Sequence, residues 1–234
     1  MPVFWLTEEH IFPHPELANE EGILAVGGDL HPDRLLLAYQ NGIFPWYSPG
    51  EPIIWWSPDP RFVLFPENLK VSKSMRQILR KKVFKVTINR AFREVMRQCQ
   101  KTKRKGQAGT WITDEMINSY AKLHWKGVAH SVEVWENDEL VGGLYGVSFG
   151  KCFFGESMFS HKSNASKVGF LTLVKLLERE GFALIDCQVH TDHLESLGAG
   201  MISRKAFLTQ LETHLSQPFP WEGWTDLEKH PVSF

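Results

Sequence analysis

Cysteine is scarce in this 234-residue chain, and Cys99, Cys152 and Cys187 are the whole set. Three thiols so widely spaced suit neither a disulfide framework nor a zinc cluster, which points to a reducing compartment. Residues 1–25 lack the basic start and apolar run of a secretory signal, being interrupted by Glu8, Glu9 and Pro13. No stretch approaches the roughly 18 apolar residues of a membrane helix. These absences predict a soluble, cytoplasmic protein with no membrane partner. Nucleotide signatures are missing too, since neither G-x-x-x-x-G-K-[ST] nor G-x-G-x-x-G occurs. The ten histidines include no H-E-x-x-H or comparable ligand spacing, and His190/His193 alone is weak evidence for a metal, so none is expected.

Excess charge of either sign is also lacking, with 26 Lys+Arg against 27 Asp+Glu. That balance argues against a nucleic-acid partner until charge is counted locally. Residues 70–105 hold 14 Lys/Arg and a single acid, Glu94, for a local +13, and the remainder carries −14. Arg76 and Arg80 are four apart on an expected helix and share a face, with Lys81 and Lys82 just after. Like charges so placed repel by roughly 0.2–0.5 kcal/mol per pair. Phosphate binding is an obvious use for tolerating that cost. No base-reading motif is present, so contacts to the RNA backbone rather than to base edges are expected.

What is plentiful is aromatic and apolar. Nine Trp and sixteen Phe accompany a hydrophobic content of 43%, enough for a substantial core. The first 62 residues, broken by Pro and Gly, read as compact irregular structure around one helix, Asp33–Gln40, with Pro32 at its first turn. A domain boundary is expected near residue 62, after the rigid run Trp55-Trp56-Ser57-Pro58-Asp59-Pro60-Arg61. Ser72 can cap a helix through Lys82, Phe84–Ile88 alternates like a strand, and Arg90–Lys101 is helical again. Lys101–Gly109 reads as a polar loop, and Thr113 can cap a helix from Asp114 to Lys126. Ser131–Glu136, Leu140–Phe149 and Cys152–Phe159 form an expected antiparallel meander, turning at Asn137-Asp138 and Gly150-Lys151. Asn164 can cap an amphipathic helix closed by Gly181; Phe182–Val189 is a buried strand, and a last helix runs from about Ser203 to Leu215. The fold class is therefore α+β with a mixed α/β sheet. Its element order is also that of the Gcn5-related acetyltransferase superfamily.

Two constellations stand out on the late strands and in the loops. Asp186 and Gln188, two apart, are expected on one strand face, with Glu156 on a neighbouring strand. An acid and an amide in an apolar strand are either a satisfied structural network or a site that orients an amine nucleophile. Trp46, Trp55, Trp56 and Trp111, each beside Gly, Pro or Ser, are candidates for stacking on bases as well as for core. An acetyl-CoA enzyme of this layout would carry a glycine-rich pyrophosphate turn, and the corresponding His161–Lys167 lacks those glycines. An N-acetyltransferase and a non-catalytic RNA-binding module remain the rival readings.

The ordered motifs together resemble the bacterial leucyl/phenylalanyl-tRNA–protein transferases. The match runs from about Gly22 to Phe207. It includes Gly42-Ile43-Phe44-Pro45-Trp46, Gly109-Thr110-Trp111-Ile112, Gly155-Glu156-Ser157-Met158-Phe159 and Ile185-Asp186-Cys187-Gln188. The resemblance implies a small N-terminal domain, residues 1–62, and an acetyltransferase-like domain, residues 63–234, that carries the basic region 70–105. It implies transfer of Leu, Phe or less readily Met from aminoacyl-tRNA to proteins with N-terminal Arg or Lys, creating an N-degron. A monomer with no cofactor is expected, since the aminoacyl ester is already activated. The implied roles give Gln188 the attacking amine, Asp186 the polarising of Gln188, and Glu156 the acceptor's N-terminal cation. Trp46 and Trp111 take the terminal adenosine, and Leu144, Phe153, Met158 and Leu173 the donor side chain. Arg76, Arg80, Lys81 and Lys82 take the tRNA backbone.

Overall fold

The computed structural model describes residues 3–102, 110–217 and 232. The polar loop expected over Lys101–Gly109 lies, beyond its first two residues, outside the described part.

Two sheets organise the described residues. The smaller has the order β1-β2-β4-β3, from Phe4–Leu6 (β1), Ile23–Gly27 (β2), Phe44–Pro45 (β3) and Ile54–Trp56 (β4). Helix α1, Pro32–Gln40, lies between β2 and β3 in the chain. This corrects the irregular structure expected of the first 62 residues. Strands of two to five residues, cut by Pro and Gly, carry too little alternation to show.

The larger sheet has seven strands in the order β11-β5-β10-β9-β8-β7-β6. They are Arg61–Leu64 (β5), Lys85–Ile88 (β6), Ala129–Glu136 (β7), Glu139–Phe149 (β8), Cys152–Ser160 (β9), Leu184–Gln188 (β10) and Gly200–Ile202 (β11). The expected meander is β7-β8-β9, turned at Asn137 and Asp138, both with positive φ as a tight hairpin requires. β9 and β10 are parallel and every other pair is antiparallel, so the sheet is mixed. β5 and β11 are too short to be apparent in the sequence.

The helices cover both faces of that sheet. On one side α3 (Phe92–Lys101) and α4 (Asp114–Trp125) pack Val95, Met96, Cys99 and Tyr120 against Tyr145, Phe154 and Phe159. On the other, α5 (Ala165–Arg179) packs Leu171, Leu173 and Val174 against Leu144, Phe153 and Ile185. Consecutive residues Leu144 and Tyr145 thus serve opposite faces, as strand alternation demands. Ser72, Thr113 and Ser203 cap α2 (Lys73–Lys81), α4 and α7 (Arg204–His214) through their hydroxyls. Asn164 precedes α5 as expected but, at φ +69°, makes no side-chain cap. A five-residue helix, α6 (Asp192–Ser196), is present without having been expected from the sequence. No helix among the described residues is long and apolar enough to cross a membrane.

One apolar cluster joins the two sheets. Leu35, Tyr39 and Phe44 from the N-terminal part share it with Phe207 and Leu211 of α7 and with Phe154 of β9. The join is tight at Gly42, which ends α1 with φ +69°; a Cβ there would stand 2.7 Å from the Phe207 ring. Gly181 has a similar φ of +71° but open space around it. Gly181→Ala should therefore lose about 1 kcal/mol of stability through backbone strain alone. Gly42→Ala should lose a further ~1–3 kcal/mol through overpacking. Urea unfolding measures both, and equal losses would show that the approach of α7 is not the cause.

Candidate active site

Two bulges aim the polar residues. Tyr145 faces Ser157 and Gly146 faces Gly155, so Glu156 is the extra residue of β9 and has no partner across the ladder. On β10, Asp186 faces Val63 and Gln188 faces Phe62, which leaves Cys187 extra. Gln188 then adopts φ +63°, in the left-handed region. Bulges re-aim side chains and sharpen local twist. Here they bring neighbouring strands' polar groups into contact: Gln188 Nε2 donates to Glu156 Oε1 at 2.8 Å. That contact turns the amide oxygen of Gln188 away from Glu156.

Glu156 accepts two more hydrogen bonds, from the Tyr39 hydroxyl at 2.7 Å and the Tyr120 hydroxyl at 3.2 Å. The two tyrosine hydroxyls are also hydrogen-bonded to each other. Burial pushes the Glu156 carboxyl up to about 7; the charge of Asp186 adds to this and the tyrosine and glutamine donors oppose it. Burial first, and then the charge of Glu156, hold both tyrosines well above the usual phenol range. They therefore stay protonated. Neither tyrosine stands out in the sequence, because α1 and α4 place them from 81 residues apart.

Asp186 is arranged differently from the expectation. Its carboxylate takes a bidentate pair from Arg61, Nε to Oδ1 at 2.8 Å and Nη2 to Oδ2 at 2.7 Å, with both residues 1% exposed. Its third bond, at 2.9 Å, is accepted from the backbone N–H of Gln188 rather than from the side chain. Asp186 thus holds the bulged backbone. The Arg61 guanidinium is sandwiched between the Phe44 and Phe207 rings, 4.7 and 4.5 Å from their centroids. Sequence reasoning misses Arg61, whose only signal is its place at the end of the Trp-Trp-Ser-Pro-Asp-Pro run.

Glu156, Asp186 and Gln188 border a cavity of about 330 Å³, a size suited to a small organic ligand. Leu144, Phe153, Met158 and Leu173 line it, as do Trp46 and Trp111, with Glu156, Asp186 and Gln188 at its polar side. Phe170 and Ile185 belong to the same apolar lining and were not anticipated. Trp55 is fully buried, donating to the Gly27 carbonyl at 2.9 Å, and Trp56 braces Trp46 by donating to its carbonyl at 2.7 Å. Cys187 also lines the cavity, but burial pushes its thiol up and keeps it protonated. Arg76, Arg80 and Lys81 on α2, and Lys82 after it, are exposed and stand apart from the cavity lining.

The raised Glu156 carboxyl has a thermodynamic consequence. The ordinary value is 4.5, so between about 4.5 and 7 the folded state holds a proton that the unfolded state has released. Stability contributed by this group is lost as pH rises through that window. Wild type should therefore lose stability relative to Glu156→Gln between pH 5 and pH 8, by about 1.4 kcal/mol for each tenfold difference in proton affinity between the folded and unfolded carboxyl. Parallel stability curves for the two proteins would show that Glu156 is not perturbed.

Known families, sequences and solved structures resemble this chain to very different degrees. A family model described as "Leucyl/phenylalanyl-tRNA protein transferase" matches residues 63–212, and one for that family's N-terminal domain matches residues 28–59. Curated relatives named leucyl/phenylalanyl-tRNA–protein transferase include one from Syntrophobacter fumaroxidans, 57% identical over 96% of both chains. Another, from Flavobacterium johnsoniae, is 56% identical over 90% of this chain and 100% of its own. A third, from Myxococcus xanthus, is 51% identical over 97% of both. Solved structures are far more distant. L-PGS from Bacillus licheniformis is 12% identical over 81% of this chain and 65% of its own, at a TM-score of 0.39. A GCN5-related N-acetyltransferase from Kribbella flavida is 10% identical over 76% and 63%, at 0.35. With one family model spanning residues 63–212 and relatives above 50% identity over nearly full length, the chain belongs to the leucyl/phenylalanyl-tRNA–protein transferase family.

Proposed function

We propose that this protein transfers leucine, also phenylalanine and less readily methionine, from aminoacyl-tRNA to proteins that begin with Arg or Lys, creating an N-degron. The broader activity, aminoacyl transfer from tRNA to protein, is that of the family. The observation that carries the finer reading is one cavity bordered by an apolar pocket, two tryptophans and an acceptor-rich polar side. In this reading residues 1–62 form a small domain that contributes Trp46. Residues 63–234 form the acetyltransferase-like domain, and the enzyme works as a cytoplasmic monomer.

The chemistry asked of the site is modest. An α-amino group has a pKa of about 7.7–8.0, so a useful fraction is neutral near pH 7. Its nitrogen attacks the ester carbonyl, the new peptide C–N bond forms, and the ester C–O bond breaks to release the terminal ribose hydroxyl of the tRNA. The amide oxygen of Gln188 accepts a hydrogen bond from the attacking amine. Glu156, poised near 7, receives the acceptor's cationic amine or its proton. Asp186 acts through position, since it is already committed to Arg61 and to the Gln188 backbone. Alignment supplies most of the acceleration.

At the donor end, Trp46 and Trp111 stack on the terminal adenosine. Leu144, Phe153, Met158 and Leu173 receive a side chain unbranched at Cβ. A misplaced methyl-sized group in such a pocket costs roughly 1–3 kcal/mol, enough to discriminate against Ile and Val. The exposed cations of α2 hold the phosphate backbone.

Two outcomes test the assignment. Gln188→Ala should slow single-turnover transfer to a peptide beginning with Arg by roughly 10²-fold or more, with tRNA affinity nearly unchanged. Equal loss of binding and transfer would make Gln188 a structural residue. The double variant Arg76→Ala/Arg80→Ala should weaken tRNA binding and flatten its log–log salt slope by about 1 per lost phosphate contact. Its rate at saturating donor should not change; an unaltered salt slope would remove α2 from the interface.

A further inference from the structure

A glycine inside a β-strand packs nothing and is entropically unfavourable, so its presence asks for a cause. In β8 the causes are internal. A Cβ on Gly142 would stand 2.7 Å from the Ala165 side chain, and one on Gly143 2.8 Å from the Val132 carbonyl oxygen. One on Gly146 would overlap the Phe154 carbonyl oxygen.

Gly155 in β9 has no such cause. It is not among the residues with positive φ, and a Cβ there would meet only the Asp186 carbonyl oxygen, at an ordinary contact distance of 3.5 Å. Nothing among the described residues forbids a side chain at this position. Gly155 is, however, partly exposed and lines the cavity. It also stands where β9 and β10 part. Their parallel ladder runs through Leu184–Cys152, Ile185–Phe153 and Asp186–Phe154 and goes no further, while β9 continues to Ser160. A close approach by another backbone or a ligand is the remaining common reason for a strand glycine.

We propose that Gly155 positions the donor: the bare backbone where β9 and β10 part is the surface against which the aminoacyl ester lies. The inference rests on the aminoacyl-tRNA donor reading. The sequence order supports it, because Phe153 lines the apolar pocket and Glu156 belongs to the amine-accepting end. The ester that joins a donor side chain in the first to an attacking amine at the second must pass Gly155. A side chain at 155 therefore competes with the donor for space, and the acceptor peptide is little affected.

The test compares Gly155→Ala and Gly155→Ser with wild type. Gly200→Ala serves as a control, because a Cβ there meets nothing within 4 Å and the residue lies outside the cavity lining. Wild-type transfer from Leu-tRNA to a peptide beginning with Arg is measured first. If there is none, the donor reading itself is wrong. With that activity present, Gly155→Ala should unfold within about 2 °C of wild type. It should bind an amide-linked phenylalanyl-adenosine roughly tenfold or more weakly. Gly155→Ser should bind it more weakly still. The donor KM should rise in step, while the acceptor-peptide KM stays within about twofold and affinity for uncharged tRNA is unchanged. Wild-type affinity for the adenosine compound in Gly155→Ala would overturn the proposal. So would a large fall in its unfolding temperature, which would mean that the fold and not the donor demands glycine.

Discussion

The ion pair between Arg61 and Asp186 is the constraint on which the rest of the site depends. Each charge loses its water, a penalty of several kcal/mol per ion that only close bidentate geometry and full neutralisation offset. Arg61 opens β5 and Asp186 lies on the adjacent β10, so the pair stitches two central strands 125 residues apart in sequence. Its aromatic walls come from elsewhere, Phe44 from the smaller sheet and Phe207 from the last helix. One guanidinium therefore registers four separate segments. Through the Asp186 carboxylate that registration reaches the backbone N–H of Gln188, whose left-handed conformation costs of order 1–3 kcal/mol and persists only where its surroundings fix it.

Two carboxylates then share one cavity in different surroundings. Asp186 faces a guanidinium, whereas Glu156 faces neutral hydroxyls and an amide and is held near 7. Different environments giving paired acids different tasks is a recurring device in active sites. The two bulges make it possible. Regular alternation would have left each strand's polar groups on its own ladder, and the extra residue in each strand turns them toward one another.

Much of the large sheet and its helices is legible in the sequence, for identifiable reasons. The meander has period-two alternation and an Asn-Asp turn, and α2, α4 and α7 have hydroxyl caps in front of amphipathic runs. The four N-terminal strands are not legible, because each is stabilised by partners rather than by its own pattern. Asp186 and Gln188 border one cavity, but the bulge at Cys187 interrupts the alternation from which their common face is expected. Arg61, Tyr39 and Tyr120 have ordinary local contexts, and only distant contacts give them a role. The cavity-lining residues are identified through the family resemblance, since Leu144 or Phe153 alone reads as ordinary core.

The packing of Phe207 against Gly42 and Arg61 also bears on how the enzyme is made. These contacts are long-range, joining residues of the first 61 to one in the last helix, and such contacts form after the loop-closure entropy of the intervening segment has been overcome. During synthesis the N-terminal sheet and β5 leave the ribosome long before α7. Until that helix arrives, the Arg61 guanidinium lacks one of its two aromatic walls. A chain without α7 therefore retains the partners of the Arg61–Asp186 pair but leaves one face of the guanidinium unpacked, which loosens the frame that holds the Gln188 backbone.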